Sequence, residues 1–130
     1  RHAQLAILLI RGHHDRSAGD PAPELRIEAR DAPHCLEPFA LLHEPDVAWP
    51  AGRSGAAYAL AGHVHPAVRL RDPATGASMR LRCFHASASR TILPAFGSFT
   101  GAKIVHPDAG DRVLALTPDQ TLTDLTGALR

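Results

Sequence analysis

Cysteine is nearly absent from these 130 residues: Cys35 and Cys83 are the only two, and no Cys-x-x-Cys pair occurs. That excludes a disulfide framework and a thiolate-pair metal site, and it makes a reducing compartment the default. Net charge is missing as well. Fourteen Lys and Arg against 13 Asp and Glu leave +1, so composition alone makes no case for nucleic acid or an anionic membrane. No long apolar run exists: the longest, Leu5 to Ile10, falls far short of the roughly 20 residues that span a bilayer. No signal peptide precedes it, so the expectation is a soluble, cytoplasmic protein with no membrane partner. Lysine is reduced to Lys103 beside 13 arginines, a compositional bias that is silent about function. The chain also opens on Arg1 in place of Met, which suggests a missing beginning. What is abundant is histidine, with nine residues against six aromatics. The length suits one small domain over residues 1–130 with a modest core.

Along the chain, Leu5 to Ile10 reads as a strand buried on both faces, ending at Arg11-Gly12. A polar stretch follows, in which a short helix must end before Pro21. Strand-like pieces come next at Leu25–Glu28, Cys35–Glu37 and Phe39–His43, each kept short by Pro33, Pro38 or Pro45. Residues 49–55 form a turn-rich loop before the apolar run Ala56–Ala61. The clearest pattern is a hairpin. Val68 and Leu70 alternate with Arg69 and Arg71, a turn spans Asp72 to Gly76, and Met79, Leu81 and Cys83 alternate with Arg80 and Arg82. Strands at Thr91–Ala95 and Arg112–Thr117 complete the set, and Gln120–Leu129 is a helix candidate weakened by its Thr residues and Gly127.

Five histidines fall at three places with a shared context, in which an apolar run ends, a tight turn begins and a histidine stands just beyond. They are Arg11-Gly12-His13-His14-Asp15, Leu42-His43-Glu44-Pro45 and Ala61-Gly62-His63-Val64-His65-Pro66. The crevice outside strand ends is where open α/β folds bind ligands. Imidazole suits zinc and neighbouring transition metals, and Gly12 and Gly62 permit a positive φ or a close backbone approach. A lone strand-end histidine is more often a satisfied packing residue; three such places in this order make a stronger signal.

That order resembles the C-terminal half of the calcineurin-like metallophosphoesterases. With His43-Glu44-Pro45, Arg82-Cys83-Phe84 and Leu93-Pro94-Ala95-Phe96-Gly97-Ser98-Phe99-Thr100-Gly101, it is most similar to the ligase-associated DNA-damage-response endonuclease (PdeM-type) branch. The resemblance implies an α/β fold, a β-sandwich flanked by helices, of which this chain is a strand-rich C-terminal part. It implies two Mn2+ (or Zn2+) ions that clamp a phosphodiester, DNA among them, while a bridging hydroxide attacks phosphorus in line. It assigns His43 and His63 to the second metal and His65 to the first. His14 protonates the leaving oxygen or stabilises its charge, with Asp15 orienting the ring, and Arg11 contacts substrate. DNA ligase, helicase and exonuclease repair partners follow from the same likeness.

Two departures stand out. His13 occupies the place of a metal-binding asparagine, so it either ligates through nitrogen, favouring zinc, or swings out. The family's earlier Asp-x-His and Gly-Asp motifs, which supply the bridging carboxylate, are not among these residues. With His13, His43 and His63 as neutral ligands, this chain is expected to hold at most one divalent metal. The leading reading is therefore a phosphodiesterase or endonuclease, incomplete and inactive as the isolated chain, whose opening strands lie upstream and leave Leu5–Ile10 exposed. Alternatives are a non-catalytic fragment or interaction module with a three-histidine zinc site, and a mononuclear zinc hydrolase. His85 is expected to pack at the surface, Trp49 and Tyr58 in the core or at its rim, and Cys83 inside its strand. Arg69, Arg71, Arg80 and Arg82 form either a solvated face or a phosphate-binding one.

Overall fold

The short apolar runs, each cut by Pro or Gly, fold as short strands in the computed structural model, which describes residues 4–13, 15–49, 55–97 and 99–129. In chain order these are β1 (Ile7–Ile10), the single-turn helix α1 (Asp15–Ala18), β2 (Ile27–Arg30), β3 (His34–Leu36), β4 (Phe39–Leu42), β5 (Tyr58–Ala61), β6 (Pro66–Arg71), β7 (Ser78–Ala86), β8 (Arg90–Ile92), β9 (Lys103–Ile104), β10 (Arg112–Leu116) and β11 (Leu122–Asp124). The molecule is a strand-rich sheet with almost no helix among the described residues. No helix there is long and apolar enough to cross a membrane.

β1 and β2 pair in parallel as a separate two-stranded sheet, Ile7 opposite Ile27 and Ile10 opposite Arg30. The remaining nine strands form one sheet, ordered β11-β10-β7-β8-β5-β4-β3, with β6 on β7 and β9 on β6. β7 is the seam: Ser78–Arg82 pair with β6, whereas the residues from Cys83 to Ala86 pair with β10 and, at His85 and Ala86, with β8. One core cluster is built mostly of alanines, Ala40 of β4, Ala59 and Ala61 of β5 and Ala56 just before β5, together with Leu42 of β4, and Trp49 packs on it. The other joins Val68, Leu81, Cys83, Val113 and Ala115 from β6, β7 and β10. Cys83 packs inside its strand as expected, and burial pushes its thiol up to about 11.

Several expectations are corrected. The first strand begins at Ile7 and is half-buried, not enclosed; Leu5 and Ile7 are exposed, because β1 has only β2 beside it. The piece at Leu25 splits into a 3₁₀ turn, Pro23–Leu25, and β2, separated by Arg26 in the left-handed region (φ 53°). The Gln120–Leu129 helix does not form. Thr123 goes to β11 and Thr126 to a 3₁₀ turn, Thr126–Ala128, where its Oγ1 accepts from the Val113 amide at 3.0 Å and so closes an edge strand rather than a helix. β9 lacked a readable pattern at two residues.

Candidate metal centre

Parallel pairing carries β4 and β5 out of the sheet at the same end. Leu42 lies opposite Ala61, so the next residues, His43 on one strand and Gly62-His63 on the other, emerge side by side. The Gly62 amide donates to the His43 carbonyl at 3.1 Å and ties the two exits together. The third histidine arrives from β1. Its following loop brings Gly12 flat against the His43 ring, where a Cβ would sit 2.5 Å from Cε1. Gly12 thus serves through close approach. Asp15 holds that loop, its Oδ2 accepting from the Gly12 amide at 2.7 Å.

The outcome is a group of three imidazoles, His13, His43 and His63, whose ligand nitrogens all lie within 4.8 Å of one another. Their ring centroids are 4.9 to 5.4 Å apart. The left-handed backbone expected of a glycine is adopted here by the histidines themselves, His63 at φ 64° and His65 at φ 53°. Such positions are uncommon for a side-chain-bearing residue and concentrate at functional sites.

The electrostatics favour a neutral His43. Burial, followed by the proximity of His63 and His13, lowers the His43 pKa below its ordinary value, with Glu44 and Asp15 opposing in part. His43 Nε2 is buried without a hydrogen-bond partner among the described residues. A buried acceptor left so is unfavourable by about 1–3 kcal/mol. A divalent cation at this point would satisfy the lone pair and remove the like-charge conflict, so the residues present fit a metal. His13 also stands 3.6 Å from a Glu44 oxygen through Nδ1.

The other expected residues stand outside this group of three. His65 lies outside the group of three and begins the turn into β6, its carbonyl accepting from the Lys103 amide at 3.0 Å. His14 lies outside the described residues. Arg11 spends its guanidinium on Asp20, at 2.6 and 2.7 Å, and stands 3.3 Å from Asp31. Tyr58 braces the sheet by donating to the Ser87 carbonyl at 2.9 Å. His85 departs from its expected surface role: Nε2 is 2.7 Å from Asp111 Oδ2, and both side chains are mostly buried. The partners are separated by 26 residues, which left no local signal to find the pair.

No protein-family model matches the chain, and no curated protein does. Among solved structures, the crystal structure of Pseudomonas putida nuclease MPE is similar, with a TM-score of 0.75 and 42% sequence identity. The match covers 96% of this chain and 56% of that one, so these residues span a little over half the length of the nuclease.

Proposed function

We propose that these residues form the C-terminal part of a metal-dependent phosphodiesterase of the calcineurin-like metallophosphoesterase superfamily, an endonuclease of the PdeM-type, repair-associated branch. The observation that carries this reading is the convergence of His13, His43 and His63 from three strand ends in a chain 42% identical to a nuclease. In this reading the three histidines hold one divalent cation, and zinc suits an all-imidazole set. When bound, the metal supplies Lewis acidity and charge neutralisation at the phosphoryl group. The chain does the rest. His43, desolvated and neutral, presents its lone pair without competition from a proton. Asp15 fixes the loop that carries His13. In the sequence, His14 holds the position that the resemblance gives to the group meeting the leaving oxygen, and His65 that of a ligand to the other metal of a pair. Arg11, paired with Asp20 and Asp31, positions the loop. Carboxylates for a two-metal centre come, on this proposal, from chain outside these 130 residues.

The test is hydrolysis of bis-p-nitrophenyl phosphate by the full-length protein with Mn2+ or Zn2+, and its loss in His43→Ala. A second reading, a non-catalytic module with a three-histidine zinc, is favoured by the absence of any carboxylate from the group of three. A full-length protein that binds one zinc per chain yet is inert with every divalent metal would replace the first reading by the second.

A further inference from the structure

Side chains alternate along a strand and stay on one face across a paired neighbour, so the register defines a surface that no local pattern shows. Arg69 lies opposite Arg80, with Arg71 two residues further along β6. Along β7 the same face continues through Arg82 to Phe84, and Phe84 lies opposite Leu114, two residues short of Leu116 on β10. The other face of these strands carries Val68, Leu81, Cys83, Val113 and Ala115 and is buried as a core cluster. The arginine-bearing face therefore grades from guanidinium at one end to carbon at the other.

The charged end is unrelieved. Arg69 opposite Arg80 sets like charges side by side, which destabilises a sheet. Arg69, Arg71 and Arg80 are exposed and have no ion pair among the described residues. The carboxylate of Asp72 in the hairpin turn is committed to the Ala74 amide and the Thr75 hydroxyl, and that of Asp119 to Thr117 and Thr121. The apolar end opens into a cavity of about 630 Å³ whose lining includes Phe84, Leu93, Pro94, Ala95, Phe96 and Leu116. Of its polar lining, the Thr117 hydroxyl is held by Asp119 and Thr121, and Arg82 Nη1 donates to the Ala95 carbonyl at 3.1 Å. Phe96 at the cavity and Phe99 on the same loop are fully exposed, at 106% and 103%.

We propose that this face docks an acidic peptide segment of a protein partner: its carboxylates pair with Arg69, Arg71 and Arg80, and an adjoining large apolar side chain fills the cavity beside Phe96. Guanidinium pairs with carboxylate and phosphate alike, so the arginines do not choose between a peptide and a nucleic acid. The cavity does. A nucleobase carries donors and acceptors on its edge, and a wall of carbon would leave them unpaired at a cost, whereas an aliphatic or aromatic side chain is an anchor of the kind such pockets take. A second copy of the chain is a poor occupant. A two-fold axis would bring the arginines of both protomers into one interface, with Asp72 and Asp119 already engaged. From Arg80 to Phe84 the strand advances about 13 Å, so acids and anchor should lie within about four to six extended residues of each other. The proposal goes beyond the phosphodiesterase reading and does not depend on it.

The experiment measures fluorescence anisotropy of a short labelled peptide, a run of aspartates followed by a phenylalanine and a leucine, with the full-length protein. Arg69→Ala with Arg80→Ala should weaken binding by about tenfold or more, and Phe96→Ser with Phe99→Ser likewise. Replacing the peptide's phenylalanine and leucine by serine, which leaves the protein untouched, should cost about as much as the second pair. Added salt should narrow the difference between wild type and the arginine pair. Thermal melts and bis-p-nitrophenyl phosphate hydrolysis should not move in any variant. No binding of the peptide by the wild-type protein, or equal binding of the peptide without its apolar pair, overturns the proposal. So does a labelled oligo-dT that loses affinity in the arginine pair while the peptide does not, which would make the face a nucleic-acid surface. A dimer in sedimentation that the phenylalanine pair abolishes would make a second copy the occupant and overturn it too. A wild-type protein inert toward bis-p-nitrophenyl phosphate, yet binding the peptide as described, sinks the phosphodiesterase reading and leaves this one standing.

Discussion

At the scale of single residues, the candidate site depends on what is small as much as on what ligates. A Cβ at Gly12 would meet the His43 ring at 2.5 Å, a distance that forces the ring or the loop to shift. A Cβ at Gly62 would meet only the His43 carbonyl at 3.7 Å, an ordinary contact. Gly12→Ala should therefore weaken Zn2+ binding by tenfold or more, in the range of other changes behind a metal ligand, whereas Gly62→Ala should leave it within about twofold. Titration calorimetry on the two variants checks this, and equal affinities would mean that the His43 ring is free to yield. The grouping of His13, His43 and His63 was legible in part, because each stands one to three residues past an apolar strand, and parallel pairing of β4 with β5 makes neighbours of the last two. His85 and Asp111 were not legible. Nothing local marks either residue, and their meeting depends on the β7–β10 register, which puts His85 opposite Val113.

At the scale of elements, legibility followed side-chain period. The β6–β7 hairpin, with strict alternation on both strands, folds as the pattern dictates. The chain after β10 carried no period, and polar contacts decide its form. Asp124 accepts from Arg112 at 2.8 Å and from the Thr126 hydroxyl at 2.6 Å, closing β11 onto β10. The Arg112 guanidinium first, and Thr126 second, hold the Asp124 carboxyl well below the usual carboxylate range. A carboxyl depressed in the folded state stabilises fully above its unfolded pKa, near 3.9, and this is lost as pH falls toward the folded value. β11 is exposed, so the effect is local and screened. Lowering the pH below about 4 should release the amides of Leu122–Asp124 before the rest of the sheet. Asp124→Asn should remove that early step, as followed by amide NMR spectra across an acid titration; an identical titration in the variant would place the acid sensitivity elsewhere.

At the scale of the whole molecule, the candidate metal centre bridges two sheets of unequal support. His43 and His63 extend from strands whose alanines form a buried cluster. His13 extends from β1, which among the described residues contributes to neither cluster and pairs with β2 alone. A two-stranded sheet is marginal by itself. At this end Gly12 approaches the His43 ring and the three histidines group across the two sheets. Local stability should differ accordingly: the amides of β1 and β2 should exchange hydrogen faster than those of β5, β7 and β10. A cation shared by His13, His43 and His63 binds only while β1 is docked, so binding must stabilise the docked form by linkage. At 100 times Kd this amounts to about 2.7 kcal/mol, a roughly hundredfold slowing of exchange in β1 and β2. β7 and β10, which exchange through global unfolding, should slow by a similar factor, because global unfolding also releases the cation. Hydrogen exchange with and without Zn2+ reads both effects. Slowing of β5, β7 and β10 with none in β1 and β2 would show that the cation is not held jointly by the two sheets.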